Sequence, residues 1–241
     1  MDVDYKADFE KFLSFTNEKK VLLDEIVKEI KKNNAESLLD IGAGNGLLAI
    51  PLSKEIKRYV AVESKTKFVE KLTQEGLTVY EGSFPIDIND SYDITLSSHA
   101  LSYNQEIYIQ YINKALELLN PGGIFIFITF RSQEDDWTSL LKDLGIQQMD
   151  HNRVCFNSII ELLHKRSGSV TTRKIKTSLD TSAIEDMVDA LAFVYHGGNF
   201  EQKTKFMSLR EKLVKILNSK YKTEEGYSFP FQHHFVVTKN N

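Results

Sequence analysis

The spacing of apolar residues predicts helices at the start of the chain and then an alternation of strands with helices. Over residues 4–32, apolar side chains recur at helical spacing, with a break near Asn17. From residue 37 onward, short apolar runs typical of buried strands alternate with amphipathic segments typical of helices. The strands are predicted at 37–41, 58–63, 77–81, 92–97 and 124–130, and the helices between them at 47–57, 66–75 and 105–119. This alternation predicts a parallel sheet with both faces covered.

The pattern after residue 130 is less regular. It predicts helices at 157–165, 182–195 and 202–219, and strands at 170–179 and 229–239. The two late strands would complete a sheet of seven, with the helical segment between them forming an insertion that caps it. Because no composition shift marks a linker, we predict one domain over residues 1–241.

Composition and charge restrict the class of protein. Of 241 residues, 41% are apolar and 27% are charged, as in globular proteins. The net charge of -4 argues against a nucleic-acid or membrane partner, because both usually require a basic face. The single cysteine, Cys155, excludes an internal disulfide and a cysteine metal cage within this chain. Six scattered histidines without H-x-x-x-H spacing predict no metal site. Together with an acidic start that lacks an apolar signal region, these features lead us to expect a cytoplasmic protein.

A glycine-rich segment follows the first predicted strand. Residues 40–46 read Asp-Ile-Gly-Ala-Gly-Asn-Gly and open a helix. Glycines let the backbone turn tightly and approach a ligand closely, and a helix start offers free amide groups. Glu63 ends the next strand, where an acidic residue suits the hydroxyls of a ribose. The segment therefore predicts a nucleoside-cofactor site, against the alternative of a structural turn.

The G-x-G-x-G spacing, with Asp40 two positions before the first glycine, resembles the first motif of class I S-adenosylmethionine-dependent methyltransferases. The resemblance continues through Glu63 and the segments 82–84, 92–99 and 119–123, and so covers about residues 36–130. It implies an α/β, Rossmann-like, doubly wound sheet of seven mostly parallel strands, the last one antiparallel. It also implies S-adenosyl-L-methionine as cofactor and S-adenosyl-L-homocysteine as product. The domain would then comprise an N-terminal helical lid at 1–34, a cofactor-binding core at 35–130 and a sheet-completing part at 131–241 with a helical insertion at about 182–226.

The same resemblance implies which residues hold the cofactor. In that family the acid and glycines of the first motif hold the methionine end, and the acid after the second strand holds the ribose. The residue after the third-strand glycine contacts adenine; many members have Asp at that position, and this chain has Ser83. The implied cofactor-binding residues are Asp40, Gly42, Ala43, Gly44, Gly46, Glu63, Ser64, Ser83, Phe84, Ser98 and His99.

The flanks of the chain are similar to histamine N-methyltransferase-like small-molecule methyltransferases, through the segments 12–18, 99–103, 136–137 and 229–237. That similarity implies that Glu18 supplies a carboxylate to an amine acceptor. It places His99 where those enzymes have glutamine, and we predict His99 as a catalytic base or orienting group and Tyr103 as a positioning hydroxyl.

The aromatic residues near these segments can each be interpreted either as core residues or as part of a binding pocket. Those of the first helix either fill the core or close as a lid over the cofactor, and Trp137 is either a pocket wall or a core side chain. On the last strand His233 and His234 alternate, so only one can face inward. The predicted substrate-binding residues are Tyr5, Phe9, Phe12, Glu18 and Trp137.

The sequence therefore predicts methyl transfer to a small-molecule amine or hydroxyl group by direct in-line displacement. A nucleic-acid methyltransferase is a weaker alternative, because the chain lacks an Asn-Pro-Pro-Tyr motif and a basic tract. A dinucleotide oxidoreductase is disfavoured by the glycine spacing and by the lack of a Tyr-x-x-x-Lys pair after the fourth strand. A non-catalytic scaffold or sensor that binds S-adenosylmethionine stays open, because fold alone does not settle function.

Overall fold

The computed structural model describes residues 5–101, 104–130, 135–146, 151–197 and 199–239, with backbone only for 5, 6 and 151–155. Its contacts group the chain into two compact units. The helical unit comprises residues 1–18, 133–148 and 176–232, and the sheet unit comprises residues 19–132, 149–175 and 233–241.

The described strands form one sheet of seven, in the order β3-β2-β1-β4-β5-β7-β6. Neighbouring strands from β3 to β5 are parallel, whereas β7 runs antiparallel to β5. The predicted sheet, mostly parallel with an antiparallel last strand, is thereby confirmed. The strand bounds are β1 Ser37–Ile41, β2 Arg58–Glu63, β3 Thr78–Glu81, β4 Tyr92–Ser98, β5 Leu119–Thr129, β6 Ser169–Thr181 and β7 Tyr227–Lys239.

The described helices connect and cover these strands, and none of them is both long and apolar enough to cross a membrane. The first two meet at residues 16–17, where the sequence predicted a break. The helix bounds are α1 Tyr5–Phe15, α2 Glu18–Lys32, α3 Ala49–Ser53, α4 Thr66–Gln74, α5 Gln105–Glu117, α6 Asp136–Leu144, α7 His151–Arg166, α8 Ile184–His196, α9 Phe200–Met207 and α10 Arg210–Lys220.

The sheet unit has a core on each face of the sheet, because successive side chains of a strand point to opposite faces. On β1, Leu38 belongs to the core formed with α2, where it joins Leu22 and Ile26. The next residue, Leu39, belongs to the opposite core with Ile112 of α5. All five side chains are fully buried, and each such burial stabilises the fold by about 1.5–3 kcal/mol. The candidate site lies at the carboxyl ends of the parallel strands of this unit.

Within the helical unit, α1 is tied to α8. The ammonium group of Lys11 lies 2.9 Å from a carboxylate oxygen of Asp186 and 2.9 Å from one of Asp189. Beside these ion pairs the rings of Phe12 and Phe193 have centroids 5.5 Å apart. The first helix is therefore anchored by both charge and aromatic packing.

The structure corrects one predicted strand boundary. The sequence predicted that Asn-Pro-Gly-Gly ends a helix and that the fifth strand begins at Ile124. Strand β5 instead begins at Leu119, which pairs with Tyr92 before the register shifts between Tyr92 and Ile94. The shift is a bulge that accommodates extra residues within a strand, including Gly122 at φ +77°.

The structure also corrects two predicted helices and adds one that was not predicted. Helix α3 is shorter than the predicted 47–57, since Pro51 has no amide and is tolerated only in the first turn of a helix. The segment 202–219 forms two helices, because the amide of Leu209 bonds to the carbonyl of Phe206 in a tight three-residue turn. Helix α6 was not predicted; Asp135 caps it by accepting from the amide of Thr138 at 2.8 Å.

Candidate active site

The glycine loop after β1 lies against the loop after β4. Gly42, Gly44 and Gly46 all have positive φ angles, of 83°, 61° and 88°, which favour glycine. A Cβ atom at Gly42 would lie 2.4 Å from the Cβ of Ala100, so this position also requires glycine for space. The strand order reverses between β1 and β4, and ligands of doubly wound sheets bind at such a point.

Glu63 joins three of the loops at this edge. Its side chain is buried, and its two carboxylate oxygens accept the amides of Gly44 at 2.7 Å and Lys65 at 2.8 Å. Its carbonyl accepts the amide of Gly82 at 2.9 Å. Each carboxylate oxygen has a second lone pair that can accept a ligand hydroxyl. Glu63 therefore shapes the glycine loop and still offers acceptors to a ribose.

Asp40 is a buried carboxylate two positions before Gly42. Only 2% of its surface is exposed, and the hydroxyl of Tyr59 donates to its Oδ2 at 2.5 Å. Burial raises the pKa of Asp40 to about 6, although the Tyr59 hydrogen bond and the charge of Lys19 oppose the rise. A buried acid with so perturbed a pKa, next to a glycine loop, is typical of a functional position.

His99 follows β4 in a strained backbone conformation. Its φ of 57° is unusual for a residue with a side chain, and its amide donates to the carbonyl of Ile128 at 3.0 Å. Its ring stacks on that of Phe130, with centroids 4.3 Å apart. Such strain often marks a functional site. The neighbouring Ala100 is the residue that meets Gly42.

The structure adds His233 to this part of the site. Its fully buried ring lies 5.2 Å from the ring of His99 and 4.5 Å from that of Phe130. His234 points to the other face of β7 and stacks on Phe156 at 4.4 Å. The sequence showed that only one of the two histidines could face inward. The register, in which His234 pairs with Thr129, decides which one.

The remaining predicted cofactor residues lie on the same loops of the sheet unit. Ser83 is exposed, and the half-buried Phe84 packs edge-on to Tyr111, with ring centroids 4.8 Å apart. Ser64 is exposed, whereas the Oγ of Ser98 is buried without a hydrogen-bond partner among the described residues. The loops after β1, β2, β3 and β4 thus bring the predicted cofactor set to one edge, and their individual roles stay predictions.

Several predicted substrate residues lie in the helical unit. Phe9 and Phe12 pack on Phe193, at centroid distances of 5.7 and 5.5 Å. Glu18 is buried, and its amide donates to the Oγ1 of Thr16 at 3.2 Å. Tyr103 lies outside the described residues. That α1 acts as a lid stays a prediction, which deletion of residues 1–16 tests.

Trp137, also in the helical unit, is half-buried among aromatic side chains. The centroid of its ring lies 6.5 Å from that of Phe206, 6.3 Å from that of Phe229 and 6.0 Å from that of Phe231. The side chain of Tyr5, the remaining predicted substrate residue, lies outside the described part of the chain.

The residues at the strand ends fit the three parts of S-adenosylmethionine. Gly44 lacks a side chain, and a Cβ there would meet only the carbonyl oxygen of Gly42, at 3.9 Å, so a ligand can approach the backbone of the loop closely. Glu63 offers acceptors to a ribose diol, and Asp40 offers a negative charge to an ammonium group. The face of Phe84 offers apolar surface to a purine. Fold and site together define a class I S-adenosylmethionine-dependent methyltransferase.

Comparison with known proteins supports this class. A family model described as a methyltransferase domain matches residues 14–165. The chain therefore belongs to the methyltransferase-domain family.

Two relatives are similar over part of the chain. The ubiquinone biosynthesis O-methyltransferase of Paramagnetospirillum magneticum is 29% identical over 108 residues, 42% of this chain and 43% of that protein. An rRNA adenine N-6-methyltransferase of Bacteroides fragilis is 40% identical over 53 residues, 22% of this chain and 20% of that protein. The matches span less than half of the relatives' own lengths.

Two solved structures share the fold across most of the chain. The YcgJ protein of Bacillus subtilis has a TM-score of 0.57 at 13% identity, over 91% of this chain and 97% of that one. The plantazolicin methyltransferase BpumL, solved with S-adenosylhomocysteine, has a TM-score of 0.54 at 12% identity, over 99% of this chain and 88% of that one. At these identities the likeness concerns the fold.

Proposed function

We propose that this protein transfers the methyl group of S-adenosylmethionine to an amine or hydroxyl group of a small molecule. The observation that carries the proposal is the contact between Gly42 and Ala100, which sets the loop of His99 against the glycine loop. A cofactor held by the glycine loop would lie next to an imidazole at the end of β4. In this proposal the cofactor and the group that acts on the acceptor are adjacent within the sheet unit.

The cofactor would be held by the residues at the strand ends. Glu63 would accept the ribose hydroxyls, Asp40 would receive the ammonium group of the methionine part, and Ser83 with Phe84 would border the adenine. When bound, the cofactor supplies an electrophilic methyl group on sulfur, so the acceptor atom must lie in line with the bond that breaks, at about 3–3.5 Å. The chain contributes orientation and exclusion of water, and needs no covalent nucleophile.

On the acceptor side, His99 and His233 present two imidazoles held by Phe130. Neutral imidazole can accept the proton of a hydroxyl group as it attacks, or orient an amine through a hydrogen bond. We propose His99 as the catalytic group and His233 as the residue that fixes the orientation of its ring. Tyr103 stays the predicted positioning hydroxyl, and Glu18 the predicted carboxylate for an amine.

An RNA base is the second candidate acceptor, favoured by the match to the rRNA methyltransferase over 53 residues. That match is confined to 22% of the chain. The net charge of -4 opposes it, because RNA binding depends on neutralising phosphates with Lys and Arg. A small-molecule acceptor is therefore the better supported proposal.

Titration calorimetry with S-adenosylmethionine and S-adenosylhomocysteine tests the cofactor site. We expect micromolar binding to the wild type, weakened by about 1–3 kcal/mol in Glu63→Gln, the scale of a lost hydrogen bond to a charged group. The matched control is Glu117→Gln, at the exposed end of α5, which should bind like the wild type.

A screen of amine and hydroxyl compounds, read out as S-adenosylhomocysteine formed, then identifies the acceptor. Failure of both ligands to bind the wild type would overturn the proposal. Binding without turnover on any acceptor would favour the scaffold or sensor alternative.

A further inference from the structure

Asp40 and Tyr59 form a hydrogen-bonded pair of ionisable side chains inside the sheet unit. Its two members lie on adjacent strands, β1 and β2, and both are buried, with 2% and 8% of their surfaces exposed. The Tyr59 hydroxyl donates to the carboxylate oxygen Oδ2 of Asp40 at 2.5 Å. The rest of the Tyr59 ring is part of an apolar core.

Packing gives no reason for a carboxyl group at this position. The core around it contains Leu38 on the same strand and Leu96 on β4, the residue paired with Asp40. A buried charge costs free energy unless it is hydrogen-bonded, and the hydroxyl of Tyr59 donates to this one. An apolar residue would fill the space without that cost, so the carboxylate must serve another purpose.

We propose that Tyr59 is a positioning residue for the cofactor, whose hydroxyl holds the carboxylate of Asp40 charged and oriented toward the ammonium group of S-adenosylmethionine. This inference rests on the proposed function and adds a residue to it. The hydroxyl of Tyr59 occupies one lone pair of one oxygen, so the other oxygen stays available to the ligand.

The charged groups around Asp40 define how this arrangement responds to pH. Tyr59 and Glu63 on β2 and Lys19 on α2 interact with it, and β4 contributes the apolar Leu96. Tyr111 on α5, which belongs to the core on the other face of the sheet, interacts with it electrostatically. Burial raises the pKa of Asp40 to about 6, Glu63 contributes to the rise, and Tyr59 and Lys19 lower it. Only the ionised form attracts an ammonium group. Affinity for the cofactor should therefore fall as the pH falls through about 6.

Calorimetric titration of S-adenosylhomocysteine between pH 5.5 and 8.5 tests the proposal on the full chain. In the wild type we expect a constant dissociation constant above about pH 7, and an increase approaching tenfold per pH unit well below 6. In Tyr59→Phe the carboxylate of Asp40 loses its hydrogen-bond donor, so the increase in the dissociation constant should begin about 1–2 pH units higher than in the wild type. At neutral pH the variant should bind several-fold more weakly than the wild type.

The matched control variant is Tyr92→Phe. Tyr92 is fully buried in the same sheet, at the start of β4, and its hydroxyl has no hydrogen-bond partner among the described residues. Its substitution removes the same atom from the same kind of environment and should leave the pH profile unchanged. Methylthioadenosine is the matched control ligand, because it keeps the adenosine and the thioether but lacks the ammonium group. Its affinity should not vary over this pH range.

The outcomes separate the inference from the proposed function. If S-adenosylhomocysteine does not bind at any pH, the proposed function fails. If it binds but its pH profile is the same in Tyr59→Phe and the wild type, or is shared by methylthioadenosine, the role of Tyr59 is wrong and the cofactor site stands. Should Tyr59→Phe fail to fold, Asp40→Asn provides the second variant. It keeps an acceptor for Tyr59 and should bind S-adenosylhomocysteine weakly at every pH, and a wild-type pH profile in it would overturn the inference.

Discussion

At the scale of single residues, the buried charge of Asp40 lowers the stability of the fold at a position that we propose binds the cofactor. A pKa raised from 3.8 to about 6 corresponds to roughly 3 kcal/mol at neutral pH. The native state binds this proton more readily than the unfolded chain. Its stability therefore rises as the pH falls from about 6 toward 4, and the cost is complete above 6.

Replacing Asp40 by Asn removes the charge and keeps an oxygen to which Tyr59 can donate. We expect Asp40→Asn to be more stable than the wild type by about 1–3 kcal/mol at pH 8, with the difference shrinking toward pH 4, where the wild-type carboxyl is protonated. Urea unfolding at several pH values measures this difference. A difference that stays the same from pH 8 to pH 4 would show that the charge is not its source.

At the same scale, the imidazole of His99 is expected to act on the acceptor. Replacing His99 by Ala should lower kcat/KM by about 10²–10⁴, the range for a lost general base, with a much smaller change in affinity for S-adenosylhomocysteine. His234→Ala is the matched control, since His234 stacks on Phe156 on the other face of β7. Steady-state kinetics with the identified acceptor measure kcat/KM for both variants. Equal losses in the two variants would remove His99 from the catalytic role.

At the scale of elements, Arg173 joins β6 to two other elements of the sheet unit. Its guanidinium donates to Glu29 at 2.8 Å and to Glu25 at 3.0 Å, both on α2. It also lies 4.0 Å above the ring of Phe235 on β7. Glu29 is 3% exposed, so its charge depends on these partners. One side chain thus anchors a helix to the β6 edge of the sheet.

Replacing Arg173 by Met should destabilise the protein by about 2 kcal/mol, because it leaves Glu29 buried with weaker partners and removes the cation above Phe235. The control is Lys57→Met, which breaks the exposed ion pair between Lys57 and Glu36 and should change the free energy of unfolding little. Chemical denaturation gives both values. Equal effects would mean that burial does not distinguish the two ion pairs.

At the scale of the whole molecule, charge bears on the choice of acceptor. With a net charge of -4, the chain should show no tight, salt-dependent association with RNA. Filter binding of an rRNA fragment at about 50 and 200 mM salt measures this, over the range in which phosphate contacts weaken strongly. Tight binding at low salt that is lost at high salt would favour the RNA acceptor over a small molecule.

Features that depend on residues close together in the chain could be predicted from the sequence, whereas features that depend on residues far apart could not. The predicted bounds of strands β1 to β5 lay within a few residues of the observed ones, except the start of β5, because apolar periodicity is a local signal. The split between α9 and α10 was missed, since neither Gly nor Pro marks it. The pairing of His99 with His233 joins residues far apart in the chain, and only strand register brings them together.

Strands β1 to β5, the glycine loop, the acid at Glu63 and the family could all be predicted, because short contiguous patterns encode them. The three-dimensional fold was needed to show that Gly42 meets Ala100, that Tyr59 donates to Asp40, and that His233 rather than His234 faces His99. Each of these contacts depends on how strands pair and which face a side chain occupies. A shift of one residue in register would exchange the two faces, and no local pattern specifies that choice.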